Sequence, residues 1–115
     1  MRGVIWKASQ DSIAAEALFE QVIDNYRLKG HIVKVFKSKH SMRFSADNGD
    51  FWEVVSAHES FRAKRCNISY IERGVPRDFV NNVIVHCTTA YPFRAITYFG
   101  EYGLIGDDYE CLITG

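Results

Sequence analysis

Side chains able to act as nucleophiles or metal ligands are scattered along this chain and form no familiar motif. The four histidines and three cysteines make no Cys-x-x-Cys or His-x-x-x-His pair, and no Gly-x-Ser-x-Gly element occurs. His86 and Cys87 are adjacent, so on a strand their side chains would point to opposite faces and could not form a dyad. We therefore predict no catalytic residue, no metal site and no bound cofactor.

Carboxylates offer another route to catalysis. A small metal-dependent nuclease or phosphate-ester hydrolase is one alternative function, and its candidate ligands are Glu72, Asp107, Asp108 and Glu110. Such an enzyme needs carboxylates that converge from rigid strands. Residues 107–110 instead follow Gly100, Gly103 and Gly106, which predict a loose terminal segment. The pattern favours a solvated acidic tail over residues 100–115, and the chain is expected not to be an enzyme.

Basic residues are unevenly distributed, although 14 Lys and Arg balance 14 Asp and Glu overall. Residues 27–43 carry six basic side chains and no acid, and a second basic cluster begins at Arg62. Such clusters attract phosphate. The alternative is the solvated face of an edge strand, on which lysines discourage aggregation. The candidate DNA-binding residues are Lys34, Lys37, Lys39, Arg43, Arg62, Lys64 and Arg65.

Length and composition indicate one folded domain, residues 1–115. Hydrophobic residues make up 47% of the chain, which argues against disorder. No apolar run is long enough to span a bilayer, and the first residues do not resemble a signal peptide. Three widely spaced cysteines are typical of reduced thiols. We expect a cytoplasmic protein without membrane contacts.

The first half of the chain predicts a strand, a helix and three more strands. Residues 3–8 form a short apolar run, and an apolar stripe with three- and four-residue spacing predicts a helix from about Asp11 to Leu28. Extended segments follow at 31–37, 42–46 and 51–56. Asn48-Gly49 predicts a tight hairpin turn between the last two, because both residues tolerate positive φ.

The second half predicts alternating helices and buried strands. We expect a helical turn at 58–64, a strand at 67–72, a helix at 76–82 that starts at Pro76, a strand at 83–87 and a last helix at about 92–99. The predicted fold class is α/β: a small three-layer-like sheet, partly parallel with an antiparallel hairpin, flanked by helices.

This order of elements resembles the ATPase core of bacteriophage large terminase subunits, the motors that package DNA. The similarity covers about residues 3–99. Its pieces are Val4–Ser9 with Ala14-Ala15-Glu16, the hairpin segments Met42–Gly49 and Val54–Ala57, the arginine-bearing Phe61–Arg65, the Walker B-like strand Ile68–Arg73, and the coupling-like Val83–Thr89, which ends in Thr88-Thr89. The resemblance implies a truncated P-loop-ATPase-like fold, a bacterial host cytoplasm and DNA or a packaging protein as partner.

The chain departs from that family where ATP would bind. No Walker A loop occurs, and the acid pair of Walker B is replaced by Glu72-Arg73. Arg73 cannot activate water as a base. The resemblance therefore implies a degenerate, non-catalytic relative. The family's phosphate-binding strand lies centrally in its sheet, so its loss would leave an edge that self-association, a partner or the acidic tail must cover.

The leading hypothesis is thus a non-catalytic phage-type binding protein that acts through a protein partner, a homo-oligomer or DNA. The zero net charge favours a protein partner slightly over DNA. A structural subunit of a larger assembly is the third alternative, beside the hydrolase.

Overall fold

A computed structural model, which describes residues 1–38, 41–57, 65–89, 95–100 and 103–104, contains a seven-stranded mixed sheet with helices on both faces. The strands are β1 (Arg2–Lys7), β2 (Val33–Lys37), β3 (Met42–Ala46), β4 (Phe51–Ser56), β5 (Ile68–Glu72), β6 (Ala95–Gly100) and β7 (Gly103–Leu104). The helices are α1 (Ile13–Leu28), α2 (Arg77–Phe79) and α3 (Val85–Cys87), and a π-helical stretch, Val80–Ile84, joins the last two. Residues 77–87 are called the second helical segment below.

The strands lie in the order β2-β3-β4-β1-β5-β6-β7, with β1 in the middle. Strands β4, β1, β5 and β6 are mutually parallel, whereas β2 and β3 continue the sheet as an antiparallel meander from β4. Val4, Ile5 and Trp6 are all buried, because helices cover both faces of β1. The α/β class and the antiparallel hairpin are confirmed, and the finer likeness to a truncated P-loop ATPase stays a prediction.

Helix α1 covers one face of the sheet, as its apolar stripe predicts. Its N-cap is Ser12, whose hydroxyl accepts a hydrogen bond from the Ala15 N–H at 3.0 Å. The stripe packs on Ile5, Phe44 and Phe99 through a row of buried side chains: Ala15, Leu18, Phe19, Val22 and Ile23. The chain leaves the helix through Gly30, which has a φ of +88°.

The second helical segment covers the opposite face. Val80, Ile84 and Cys87 of this segment pack against Val4 and Trp6 of β1. The predicted strand at 83–87 is therefore wrong, and the helix predicted at 76–82 continues through Cys87. A short apolar run does not distinguish a buried strand from a buried helix. The buried residues of the segment, Val80, Ile84 and Cys87, are four and then three positions apart, which is the spacing of one face of a helix.

The helix predicted at 92–99 is also wrong, because residues 95–100 form β6. Ile96 is buried toward the second helical segment and Phe99 toward α1. Residues three apart on a strand lie on opposite faces, so this burial fits a strand. Pairing with β5 stabilises this strand along its length. The expected helical turn at 58–64 and most of the predicted tail, apart from the short β7, fall outside the described residues.

The described sheet has no gap in its middle, and which element would cover an edge left by a missing strand stays a prediction. Strand β1 is paired with β4 on one side and with β5 on the other. The edges of the described sheet are β2 and β7 instead. No helix among the described residues has both the length and the apolar character needed to cross a bilayer.

Candidate functional site

Strands β2, β3 and β4, together with the start of β1, carry two rows of side chains on one face of the sheet. This is the same face that the second helical segment covers nearer the middle of the sheet. Paired residues of neighbouring strands point to the same face. The register therefore places Phe36, Arg43 and Glu53 in one row that leads to the buried Val4. The second row consists of Lys34, Ser45, Phe51 and Arg2. We call the seven residues Arg2, Lys34, Phe36, Arg43, Ser45, Phe51 and Glu53 the open face.

Each phenylalanine of the open face lies under a guanidinium group. Arg43 is 4.4 Å from the centroid of the Phe36 ring, and Arg2 is 4.8 Å from that of Phe51. Phe36 is nevertheless 49% exposed, which is unusual for so large an apolar side chain on a strand. The open face thus combines flat apolar rings with cations held above them.

The charge of the open face is positive. Arg2 donates a hydrogen bond to Glu53 at 2.9 Å, so these two charges compensate each other. Lys34 and Arg43 are exposed, and neither forms an ion pair with a carboxylate in the part of the chain that the structure describes. Two uncompensated cations therefore flank the Phe36 ring.

The predicted DNA-binding residues are only partly brought together. Lys34 and Arg43 share the open face, but Lys37 points to the α1 side, where its ammonium group lies 2.7 Å from Glu16 and 3.0 Å from Glu20. These hydrogen bonds, first that to Glu16, raise the pKa of Lys37. Arg65 is exposed just before β5. Lys39, Arg62 and Lys64 lie outside the described residues.

Glu72, the Walker B-like acid, is engaged in structural hydrogen bonds. It ends β5, and its carboxylate accepts hydrogen bonds from the Ala8 N–H at 2.6 Å and the Ser12 hydroxyl at 2.8 Å. The carboxylate therefore holds the β1–α1 connection and the N-terminus of α1, an end of a helix that favours negative charge. Arg73 is exposed in the turn that follows, and its backbone N–H bonds to the Phe99 carbonyl.

The coupling-like threonines follow a helix and not the predicted strand. Thr88 is fully buried and donates a hydrogen bond to the Ile84 carbonyl at 2.6 Å. Because that bond uses its hydroxyl proton, the Ser69 hydroxyl donates to Thr88, at 2.7 Å, and accepts from the Trp6 indole N–H at 3.0 Å. This chain of bonds ties β1 and β5 to the second helical segment. Thr89 is exposed.

A buried pair of thiols adjoins this hydrogen-bonded chain. Cys66 and Cys87 are both buried and unoxidised, and the backbone N–H of Cys66 bonds to the Cys87 carbonyl at 2.9 Å. The hydrogen bond between the two thiols lowers the pKa of Cys66 and raises that of Cys87. Because Cys66 has no exposed surface, this arrangement offers no accessible nucleophile. Cys111 lies outside the described residues.

A cleft of about 320 Å³ lies near the carboxyl end of β1, between the start of α1 and the β2–β3 connection. Clefts at this end of parallel strands often bind ligands. Its cations are already bound within the protein, because Lys37 pairs with Glu16 and Glu20, and Lys7 donates to the Gln10 carbonyl. Among the described residues no cluster of His, Cys, Asp or Glu could hold a metal ion. Asp107, Asp108 and Glu110 are outside that part of the chain.

A second cleft, of about 300 Å³, lies at the amino-terminal end of the parallel strands. The Tyr26 hydroxyl donates to Asp50 at 2.7 Å and accepts from the Trp52 indole N–H at 3.0 Å. Burial, together with the bond to Asp50, raises the pKa of Tyr26 to about 12. Burial also raises the pKa of Asp50, but the bonds from Tyr26 and the N-terminal ammonium outweigh it, so this pKa is lowered. These bonds attach α1 to the β3–β4 turn.

Sequence reasoning missed Arg2, Phe36 and Phe51 as members of the candidate site. The available signal was the two-residue spacing of Lys34 and Phe36 on one predicted strand, because residues two apart on a strand share a face. The cross-strand neighbours of Phe36 and Phe51 depend on strand order and register, which the local pattern does not contain.

We compared the chain with protein-family models, with curated proteins and with solved structures, and none of the three comparisons finds a match.

Proposed function

We propose that this chain is a non-catalytic binding protein whose open face binds single-stranded nucleic acid. The observation that carries the proposal is the exposed Phe36 ring, stacked under Arg43 and flanked by Lys34. Sheet faces with exposed aromatic rings and basic side chains suit unpaired bases, since every base can stack on a ring and every phosphate can approach a cation.

The geometry favours a single strand over a duplex. The open face is a twisted sheet surface, and its two rings, Phe36 and Phe51, lie in neighbouring rows. Bases can stack on such rings only when they are not paired within a duplex. Helix α1 does not present a basic face, because its single basic residue, Arg27, is outnumbered by three acids, Glu16, Glu20 and Asp24.

The charge limits the expected affinity. Lys34 and Arg43 are the uncompensated cations of the open face, while Glu53 opposes phosphate beside Arg2. With few phosphate contacts, binding is expected to be modest and its salt dependence shallow. The phage setting and the relation to terminases are separate predictions that this binding does not require.

The proposal is tested by fluorescence anisotropy with labelled single-stranded DNA, single-stranded RNA and duplex DNA at low and high salt. We expect both single strands to bind more tightly than the duplex. Phe36→Ala should weaken single-strand binding by about 5- to 150-fold, the range that one stacked base contributes. Arg43→Ala should weaken it and reduce the salt slope by about one.

Two matched controls lie on the other side of the molecule. Lys37→Ala removes a cation bound to Glu16 and Glu20, and Leu28→Ala removes an exposed apolar side chain of α1. Neither should change the affinity. The proposal fails if the wild-type chain binds no single strand at low salt, or if Lys37→Ala weakens binding as much as Arg43→Ala does.

A further inference from the structure

Strand β2 is an edge of the described sheet, and its outward backbone groups can be identified. In an antiparallel pair, residues alternate between bonding to the neighbouring strand and pointing away from it. The Asp47 N–H bonds to the Ile32 carbonyl at 3.0 Å, and the Ser38 N–H bonds to the Ser41 carbonyl at 2.8 Å. The even-numbered residues of β2 therefore bond inward to β3.

The odd-numbered residues consequently present their N–H and C=O groups to the outer edge. These residues are Val33, Val35 and Lys37. No described strand lies beyond β2. Of the five large hydrophobic side chains that are exposed among the described residues, three lie at this edge, namely Ile32, Val35 and Phe36. An exposed apolar edge strand is a template for pairing with another strand.

We propose that β2 pairs antiparallel with β2 of a second copy of this chain, about a two-fold axis at Val35. The two Val35 residues then face each other and exchange their outward N–H and C=O groups. Val33 of each copy pairs with Lys37 of the other in the same way. Such an interface is self-complementary, as a two-fold dimer requires.

The side chains of β2 suit this register. It places Lys34 of one copy opposite Phe36 of the other, which sets an ammonium group beside an aromatic ring. On the α1 side it places Val35 against Val35 and Lys37 against Val33. No two lysines face each other directly, and Lys37 is already neutralised by Glu16 and Glu20.

The dimer would also extend the open face. The two-fold axis of an antiparallel strand pair runs perpendicular to the sheet, so both open faces lie on the same side. Phe36 and Arg43 of the two copies would then border one continuous surface. This inference does not rest on nucleic-acid binding, since the edge exists whatever the open face binds.

The test is sedimentation velocity of the full chain over a wide concentration range, without nucleic acid. The wild-type chain should associate reversibly to a dimer. Val35→Lys and Val35→Glu each place like charges on the two-fold axis and should weaken dimerisation by at least about tenfold. An equimolar mixture of the two variants should recover the dimer, because opposite charges then meet.

Val35 is 41% exposed, so these substitutions should leave the fold intact, and circular dichroism checks this directly. Val35→Thr is the matched control, because it keeps a β-branched side chain without charge and should dimerise. A wild-type chain that is monomeric at every concentration overturns the proposal. So does a Val35→Lys variant that dimerises like the wild type, or a mixture that stays monomeric.

Discussion

The guanidinium group of Arg43 lies 4.4 Å from the centroid of the Phe36 ring, across the β2–β3 pair. Neither residue is conspicuous in the sequence, since one belongs to a basic cluster and the other to an ordinary strand pattern. Their contact places a flat aromatic ring and a positive charge at the same point of the protein surface.

The Arg43–Phe36 stack predicts different effects for two substitutions at one position. Arg43→Lys keeps the positive charge but loses the planar group that stacks on the ring. We expect the salt slope of single-strand binding to stay unchanged and the affinity to fall by about two- to fivefold, which corresponds to an exposed cation–π contact of about 0.5–1 kcal/mol. Anisotropy titrations at several salt concentrations measure both quantities. An Arg43→Lys slope as shallow as that of Arg43→Ala would contradict this interpretation.

Gly3 is predicted to be intolerant of any side chain. It lies on the central strand, and an added Cβ would overlap the Trp52 indole ring, which is itself buried. Gly3→Ala should lower the free energy of unfolding by about 3 kcal/mol, at the upper end of overpacking effects. Gly30→Ala is the comparison, because a Cβ added at Gly30 has no atom within 4 Å. This substitution should lower the free energy of unfolding by about 1–2 kcal/mol, through the strained φ of +88° alone. Urea denaturation compares the two variants, and equal losses would show that Trp52 can move aside.

Glu72 is predicted to act in stability and not in catalysis. Glu72→Gln replaces one of the two carboxylate oxygens that accept from Ala8 and Ser12 with an amide group that cannot accept. We expect the free energy of unfolding to fall by about 1–3 kcal/mol. Asp24→Asn on the exposed side of α1 is the matched control and should change it by no more than about 0.5 kcal/mol. A Glu72→Gln variant of unchanged stability that loses a magnesium-dependent nuclease activity would instead support the hydrolase alternative.

Tyr26 predicts a loss of stability in alkali. Its pKa is raised from 10.0 to about 12 in the folded chain, first by burial and then by the hydrogen bond to Asp50. A raised pKa means that folding favours the protonated phenol. Its contribution to stability is therefore complete below pH 10 and is lost as the pH rises through about 12.

The measurement is the ultraviolet absorbance of tyrosinate during an alkaline titration, together with thermal unfolding at each pH. Tyr26→Phe should remove the titration step near pH 12 and should cost about 1 kcal/mol at neutral pH, through the lost bonds to Asp50 and Trp52. If the late step persists in Tyr26→Phe, the assignment to Tyr26 is wrong.

Local sequence was enough for the elements whose signals are short-range. The apolar stripe from Ala15 to Ile23 and the cap at Ser12 define α1, and Asn48-Gly49 defines the β3–β4 turn, where Gly49 has a φ of +93°. Strands β3 and β4 have the bounds of the two extended segments predicted at 42–46 and 51–56. In each case the signal lies in residues that are close together in the sequence, so the element can be recognised without knowledge of distant contacts.

Tertiary structure decided the remaining elements and the composition of the candidate site. Residues 83–87 are helical because Ile84 and Cys87 pack on Val4 and Trp6, and 95–100 are a strand because β5 pairs with them. Lys34 and Lys37 belong to one basic cluster in sequence, yet an odd spacing on β2 sends them to opposite faces. Only strand order and register then determine that Arg43 meets Phe36 while Glu16 and Glu20 bind Lys37, because those contacts join residues that are distant in sequence and depend on how the whole sheet assembles.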